Sequence, residues 1–121
     1  MKIYIAAPYP ERLKAKDWAL VLVSKGHRVT ARWVMEEEDS PDPVDQARYV
    51  VKNIDDIMAA DVLILMTGYR GDRSWTGGRH WETGFAWARG KQVWICGPRE
   101  SVFHHLTTVN QIDSIEEFPE A

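Results

Sequence analysis

Two apolar runs constrain this chain most: Asp61-Val-Leu-Ile-Leu-Met-Thr67 and Gln92-Val-Trp-Ile-Cys-Gly97. Each is short, uncharged inside and apolar, as expected of a strand covered on both faces. The stretch between them has room for one helix. Thr76 can cap its start, Gly77 and Gly78 let a backbone or ligand come close, and Gly90 ends it one residue before Lys91. A strand–loop–helix–strand unit of this kind closes as a right-handed crossover between parallel strands. The helix also carries a carboxylate, Glu82, near its start. In an open α/β sheet that is where ligands bind, outside the carboxyl end of a strand.

The remainder of the chain repeats the alternation. Lys2-Ile-Tyr-Ile-Ala-Ala-Pro8 reads as a first strand, and residues 11–24 as a helix whose apolar side is Leu13, Trp18, Leu20, Val21 and Leu22, stopped at Lys25-Gly26. Residues 27–34 alternate by two and predict a second strand. The acidic, proline-broken segment 36–43 is a loop, with Asp42 placed to cap a helix opening at Pro43. Ala47, Val50, Val51, Ile54, Ile57 and Met58 then recur at three and four, a helical stripe ending at Asp61. The tail suggests a turn at 102–106, a strand at 109–112 and a last turn at 115–118. The expectation is one domain over residues 1–121: a small doubly wound α/β fold, flavodoxin- or Rossmann-like, with four to five parallel strands flanked by helices. Its ligand-facing loops would be residues 8–11, 33–39, 68–78 and 97–103.

Composition narrows the partners. With 45% apolar and 27% charged residues the chain is an ordinary globular one, and its net charge of −3 offers no broad cationic face. A nucleic-acid duplex or an anionic membrane is therefore not expected as partner, and a small molecule is. The single cysteine, Cys96, lies in a strand pattern, which excludes an internal disulfide and suits a reducing compartment. No apolar run reaches ~18 residues and the N-terminus begins a strand at once, so neither a membrane helix nor a signal peptide is read, and the expected location is cytoplasmic.

Glu82 has two readings. As a helix-start acid it could be solvated and stabilised by the helix dipole. Its neighbours favour a cavity instead: Gly77, Gly78 and Gly84 clear space, while Trp81, Phe85 and Trp87 make the helix bulky and largely buried. The helix start would keep the carboxylate ionised, which suits a nucleophile more than a general acid. The loop before it carries Ser74, Thr76 and Arg79, which together with backbone amides could hold an anion such as a 5′-phosphate. A solvated surface loop is the plainer alternative. There is no Walker loop and no G-x-G-x-x-G after the first strand, so dinucleotide binding is disfavoured. His104 and His105 diverge on a helix without accompanying ligands, so no metal is expected and no cofactor is called for.

Three segments together resemble the nucleoside 2-deoxyribosyltransferase superfamily, which includes the deoxynucleoside 5′-monophosphate N-glycosidases. They are Ile3-Tyr-Ile-Ala-Ala-Pro8, Ile57-Met-Ala-Ala-Asp61-Val-Leu-Ile, and Gly78-x-x-x-Glu82-x-Gly84-x-Ala86-x-x-x-Gly90-Lys91-x-Val93. The likeness runs in order from Met1 to Leu106 and is closest to short members from phage and bacteria. It implies that Glu82 is the nucleophile that attacks C1′ of the sugar, and that Tyr4 helps position it. Thr76, six residues before Glu82, falls where transferases of free nucleosides carry aspartate and the monophosphate hydrolases serine. With Arg79 close by, this tilts toward a phosphorylated substrate.

Ala7, Pro8, Tyr9, Ser74 and Gly78, in or beside the ligand-facing loops, are further candidate substrate contacts, and the resemblance places Trp33 in a base-contacting region. It also implies a homodimer or dimer-based oligomer, in which Ser101, His104 or His105 reaches a neighbour's site. One departure stands out. The family often has a leaving-group aspartate eight residues before the Asp61 position, and here that residue is Asn53, which cannot act as a general acid. The leading expectation is cleavage of an N-glycosidic bond of a (deoxy)ribonucleoside or its 5′-monophosphate through a glycosyl–Glu82 intermediate, with water or a second base as acceptor. The rival is a non-catalytic nucleotide or nucleotide-sugar binding module on the same fold.

Overall fold

The computed structural model describes residues 1–72 and 77–121. Its centre is β3 (Val62–Met66), buried along its whole length as that apolar run demands. β3 pairs with β1 (Lys2–Ala6) on one side, Ile3 opposite Val62, and with β4 (Gln92–Cys96) on the other, Val62 opposite Gln92. β2 (Arg28–Val29) adds to β1 and β5 (Val109–Ile112) adds to β4. All pairs are parallel and the order is β2-β1-β3-β4-β5.

This order fixes where a ligand can bind. The chain leaves β1 through α1 (Arg12–Ser24) to reach β2, then returns across β1 through α2 (Pro43–Ala59) to β3. It continues outward through α3 (Gly77–Ala88) to β4. Right-handed crossovers running in opposite directions put α1 on one face and α2 with α3 on the other, where α2 packs against α3. The direction of winding changes between β1 and β3, so the loops leaving those strands separate and open a crevice.

Several sequence expectations are met closely. Asp42 caps α2, its Oδ1 accepting the Val44 amide at 2.8 Å, with Pro43 in the first turn. Gly90 takes the left-handed conformation (φ +78°) that ends α3. The tail forms the anticipated turns around β5 and then docks: Phe118 is fully buried, edge-on to His27 and Trp94, and the Ala121 amide donates to the Lys25 carbonyl at 2.9 Å. Among the described residues no helix is long and apolar enough to cross a membrane.

Others are corrected. The second strand is two residues long, not eight, because after Thr30 bonds Ile3 the chain turns off the sheet edge into a 3-10 turn at Arg32–Val34. α1 buries Ala15, Trp18, Ala19 and Leu22, whereas Leu13 and Leu20 face outward. The spacing of three and four is kept, but the close approach of helix to sheet selects alanines over the larger aliphatics. Of the α2 stripe, Ile57 is fully covered, while Val50, Val51 and Met58 are exposed. The covered residues come from the last turns, next to the strand that the helix feeds. Trp81 and Trp87, expected to be largely buried, are about half exposed at 56% and 50%.

Candidate active site

Tyr4 is the third residue of β1 and points to the α2–α3 face, where its side chain is fully buried. Glu82 comes down from the second turn of α3 to meet it. The Tyr4 hydroxyl donates to Glu82 Oε2, joining residues 78 apart in sequence. This pair lies at the β1/β3 crevice.

The environment of Glu82 overturns one expectation. This carboxylate is not fully ionised near neutrality. Burial dominates, outweighing the hydrogen bond from Tyr4, and the nearby Glu38 charge adds to it, so the Glu82 pKa is pushed up to about 7. Tyr4 is driven the same way: burial first, then the Glu82 carboxylate, raise its pKa well above the usual phenol value. The tyrosine proton therefore stays on its oxygen, and the titrating group of the pair is the carboxyl.

A cavity of about 220 Å³ opens over this pair. On the α3 side it is lined by Gly78 and Arg79, on the β1 side by Ala7 and Tyr9. Its far wall is Trp33, Glu38 and Asn53. Trp33 is buried, held by its indole N–H donating to the Ile5 carbonyl at 2.8 Å. Arg79 is also buried. One guanidinium nitrogen donates to the Met66 carbonyl at 2.6 Å and pairs with Glu100 at 2.8 Å. Its Nε is buried with no hydrogen-bond partner among the described residues.

Of the residues singled out from sequence, Tyr4, Ala7, Tyr9, Trp33, Asn53, Gly78, Arg79 and Glu82 thus surround one cavity. Pro8 is buried beside them without lining it. Ser74 and Thr76 lie outside the described residues. Ser101 and His104 border a different hollow, about 660 Å³ and largely apolar, on the other side of α3 with Trp87 and Phe103. His104 is buried and its Nδ1 accepts the Glu100 amide at 3.1 Å, while His105 is exposed. Within one chain these three residues do not meet Glu82.

Glu38 is the residue that sequence reading missed. It sits in the acidic run Glu36-Glu-Glu-Asp39, where nothing distinguishes one acid from the next. Glu36 is half exposed, yet the Glu38 side chain is only 8% exposed and faces the cavity. Lys52, on α2, reaches both, with Nζ 2.7 Å from Glu38 and 2.8 Å from Glu36. Burial works against the Lys52 ammonium, but these two carboxylates more than offset it and raise its pKa. Asp56 is occupied elsewhere, in a bidentate pair with Arg32 whose shortest contact is 2.9 Å.

No family profile and no functionally curated protein matches the sequence. Solved structures do match. A 2-deoxyribosyltransferase from the psychrotolerant bacterium Bacillus psychrosaccharolyticus superposes with a TM-score of 0.75 at 20% identity, covering 99% of this chain and 97% of the other. A CMP N-glycosidase from Clostridium botulinum superposes with a TM-score of 0.66 at 23% identity, covering 98% and 94%. The chain therefore has the fold of the nucleoside deoxyribosyltransferases and nucleotide N-glycosidases over nearly its full length.

Proposed function

We propose that this protein cleaves the N-glycosidic bond of a (deoxy)ribonucleoside or its 5′-monophosphate. The observation that carries the proposal is the buried Tyr4–Glu82 pair at the β1/β3 crevice. In the ionised form, a Glu82 oxygen attacks C1′ of the sugar. The C1′–N bond breaks, the base leaves with the electron pair and takes a proton from solvent water, and a glycosyl ester remains on Glu82. Water or a second base then attacks C1′ and frees the carboxylate. Tyr4 holds Glu82 in place by donating to one oxygen while leaving the other for attack. Arg79, which lines the cavity and whose Nε has no hydrogen-bond partner among the described residues, would serve an anionic group on the sugar.

Asn53 favours a second reading. It lines the cavity where an acid would assist the leaving base, and an amide cannot supply that proton. On this reading the protein binds a nucleotide without breaking it. We further propose that it works as a dimer or dimer-based oligomer, with Trp87, Phe103 and Leu106 around the apolar hollow covered by a second copy that brings Ser101, His104 or His105 toward Glu82. Light scattering tests this: a strictly monomeric protein would exclude it.

The deciding experiment incubates the protein with nucleosides and 5′-monophosphates, with and without an added acceptor base, and follows free base by chromatography. Base release that falls at least about a thousandfold in Glu82→Ala supports the covalent route. Dependence on the added base then separates transfer from hydrolysis. Ligand-induced thermal stabilisation without base release from any substrate would leave the binding module.

A further inference from the structure

The wall opposite Glu82 has a property that the bond-breaking chemistry does not require. We propose that Glu38 selects the base, accepting hydrogen bonds from a nucleobase that carries an exocyclic amino group. The proposal rests on the N-glycosidic reading above for the identity of the ligand, and on the following geometry for its specificity.

Glu38 is fixed at three points. Its backbone N–H donates to the Tyr9 hydroxyl at 2.8 Å, Lys52 Nζ lies 2.7 Å from Oε2, and Asn53 Nδ2 donates to Oε1 at 3.4 Å. An acidic side chain that reaches inward from a solvated loop and is 8% exposed is positioned, not merely tolerated. Its partners leave acceptor capacity unused, because a carboxylate offers about four lone-pair sites. The contact with Glu38 also settles which way Asn53 faces. Since the carboxylate accepts, the amide NH2 must point to it, and the amide oxygen points away. That oxygen is buried with no partner among the described residues.

The wall thus holds a charged acceptor, Glu38, beside the indole of Trp33 and across from the nucleophile, with the unpartnered Asn53 amide oxygen buried next to it. A ligand seated there must bring N–H donors. Cytosine and adenine carry an amino group at the edge remote from the sugar, whereas uracil and hypoxanthine carry a carbonyl oxygen at the equivalent place. A carbonyl facing Glu38 would set two oxygens against each other and leave the spare acceptor sites of the carboxylate unused. Glu38 is not well suited to protonate the leaving base, because a proton on it would break the ion pair with Lys52. Its part is to choose and orient the ligand.

Binding of free bases tests this without any bond being broken. Calorimetric titration of the wild-type protein with cytosine against uracil, and adenine against hypoxanthine, should give roughly tenfold or tighter binding for the amino-bearing member of each pair. In Glu38→Gln, close in size and folded by its melting curve, that ratio should collapse toward one. Equal affinities within each pair, no binding of any of these bases, or a preference that survives Glu38→Gln would overturn the assignment. Base release from nucleosides is a separate readout. Its absence would sink the N-glycosidic reading, while the affinity ratios would still decide the role of Glu38.

Discussion

Glu82 and Glu38 face the same cavity, but they are held there by different chemistry. Glu82 has a neutral hydroxyl for a partner, and burial pushes its pKa to about 7. Glu38 has an ammonium at 2.7 Å and an amide beside it. One carboxyl is poised to change its charge near neutrality, and the other is locked into an ion pair. Two acids in one site can thus differ in charge behaviour, because the partner and not the residue type decides it, and this difference underlies the separate roles proposed for them.

The sharpest way to break this contrast is to remove the cation. Lys52→Met leaves Glu38 buried without its counter-charge and should cost about 3 kcal/mol at pH 8 in urea unfolding. An unchanged unfolding midpoint would mean that the ion pair does not hold Glu38.

Glu82→Gln should act in the opposite direction. A carboxyl whose folded pKa is about 7 against an ordinary 4.5 binds more protons in the native state across that window. Its contribution therefore turns unfavourable as pH rises from 4.5 to 7 and stays constant above. The amide variant escapes this cost. It should be more stable than wild type by on the order of 2 kcal/mol at pH 8 and no more stable at pH 4. Parallel stability curves across the whole range would show that Glu82 is not perturbed by burial.

The smallest effect sharpens the role of Tyr4. Base release should rise with pH through about 7 as Glu82 ionises. Tyr4→Phe removes the hydrogen bond that opposes burial, and should move this limb upward by up to about one pH unit. A limb that stays in place in the variant would assign it to another group.

Much of this architecture was legible in the sequence because it depends on local signals. The uncharged runs around β3 and β4, the Asp42 cap, and the glycine ending α3 each act over a few residues, and together they fix a parallel doubly wound sheet. The outward faces of Leu13 and Leu20 were not legible, because how closely a helix approaches a sheet is a tertiary quantity. Trp81 and Trp87 misled for a related reason: size predicts what would gain from burial, not what the neighbouring elements cover.

The site divides along the same line. The sequence by itself determined that a carboxylate at Glu82 would follow an apolar strand near a helix start, and that Tyr4 would lie in the first strand. Only the tertiary structure decided that these two groups meet, and that burial outweighs the Tyr4 hydrogen bond in setting the charge on Glu82. It also drew Glu38 out of a run of equivalent acids to face them. Hydrogen bonds and desolvation depend on separations of a few ångströms, and residues far apart in the chain acquire those separations only when the sheet brings them together.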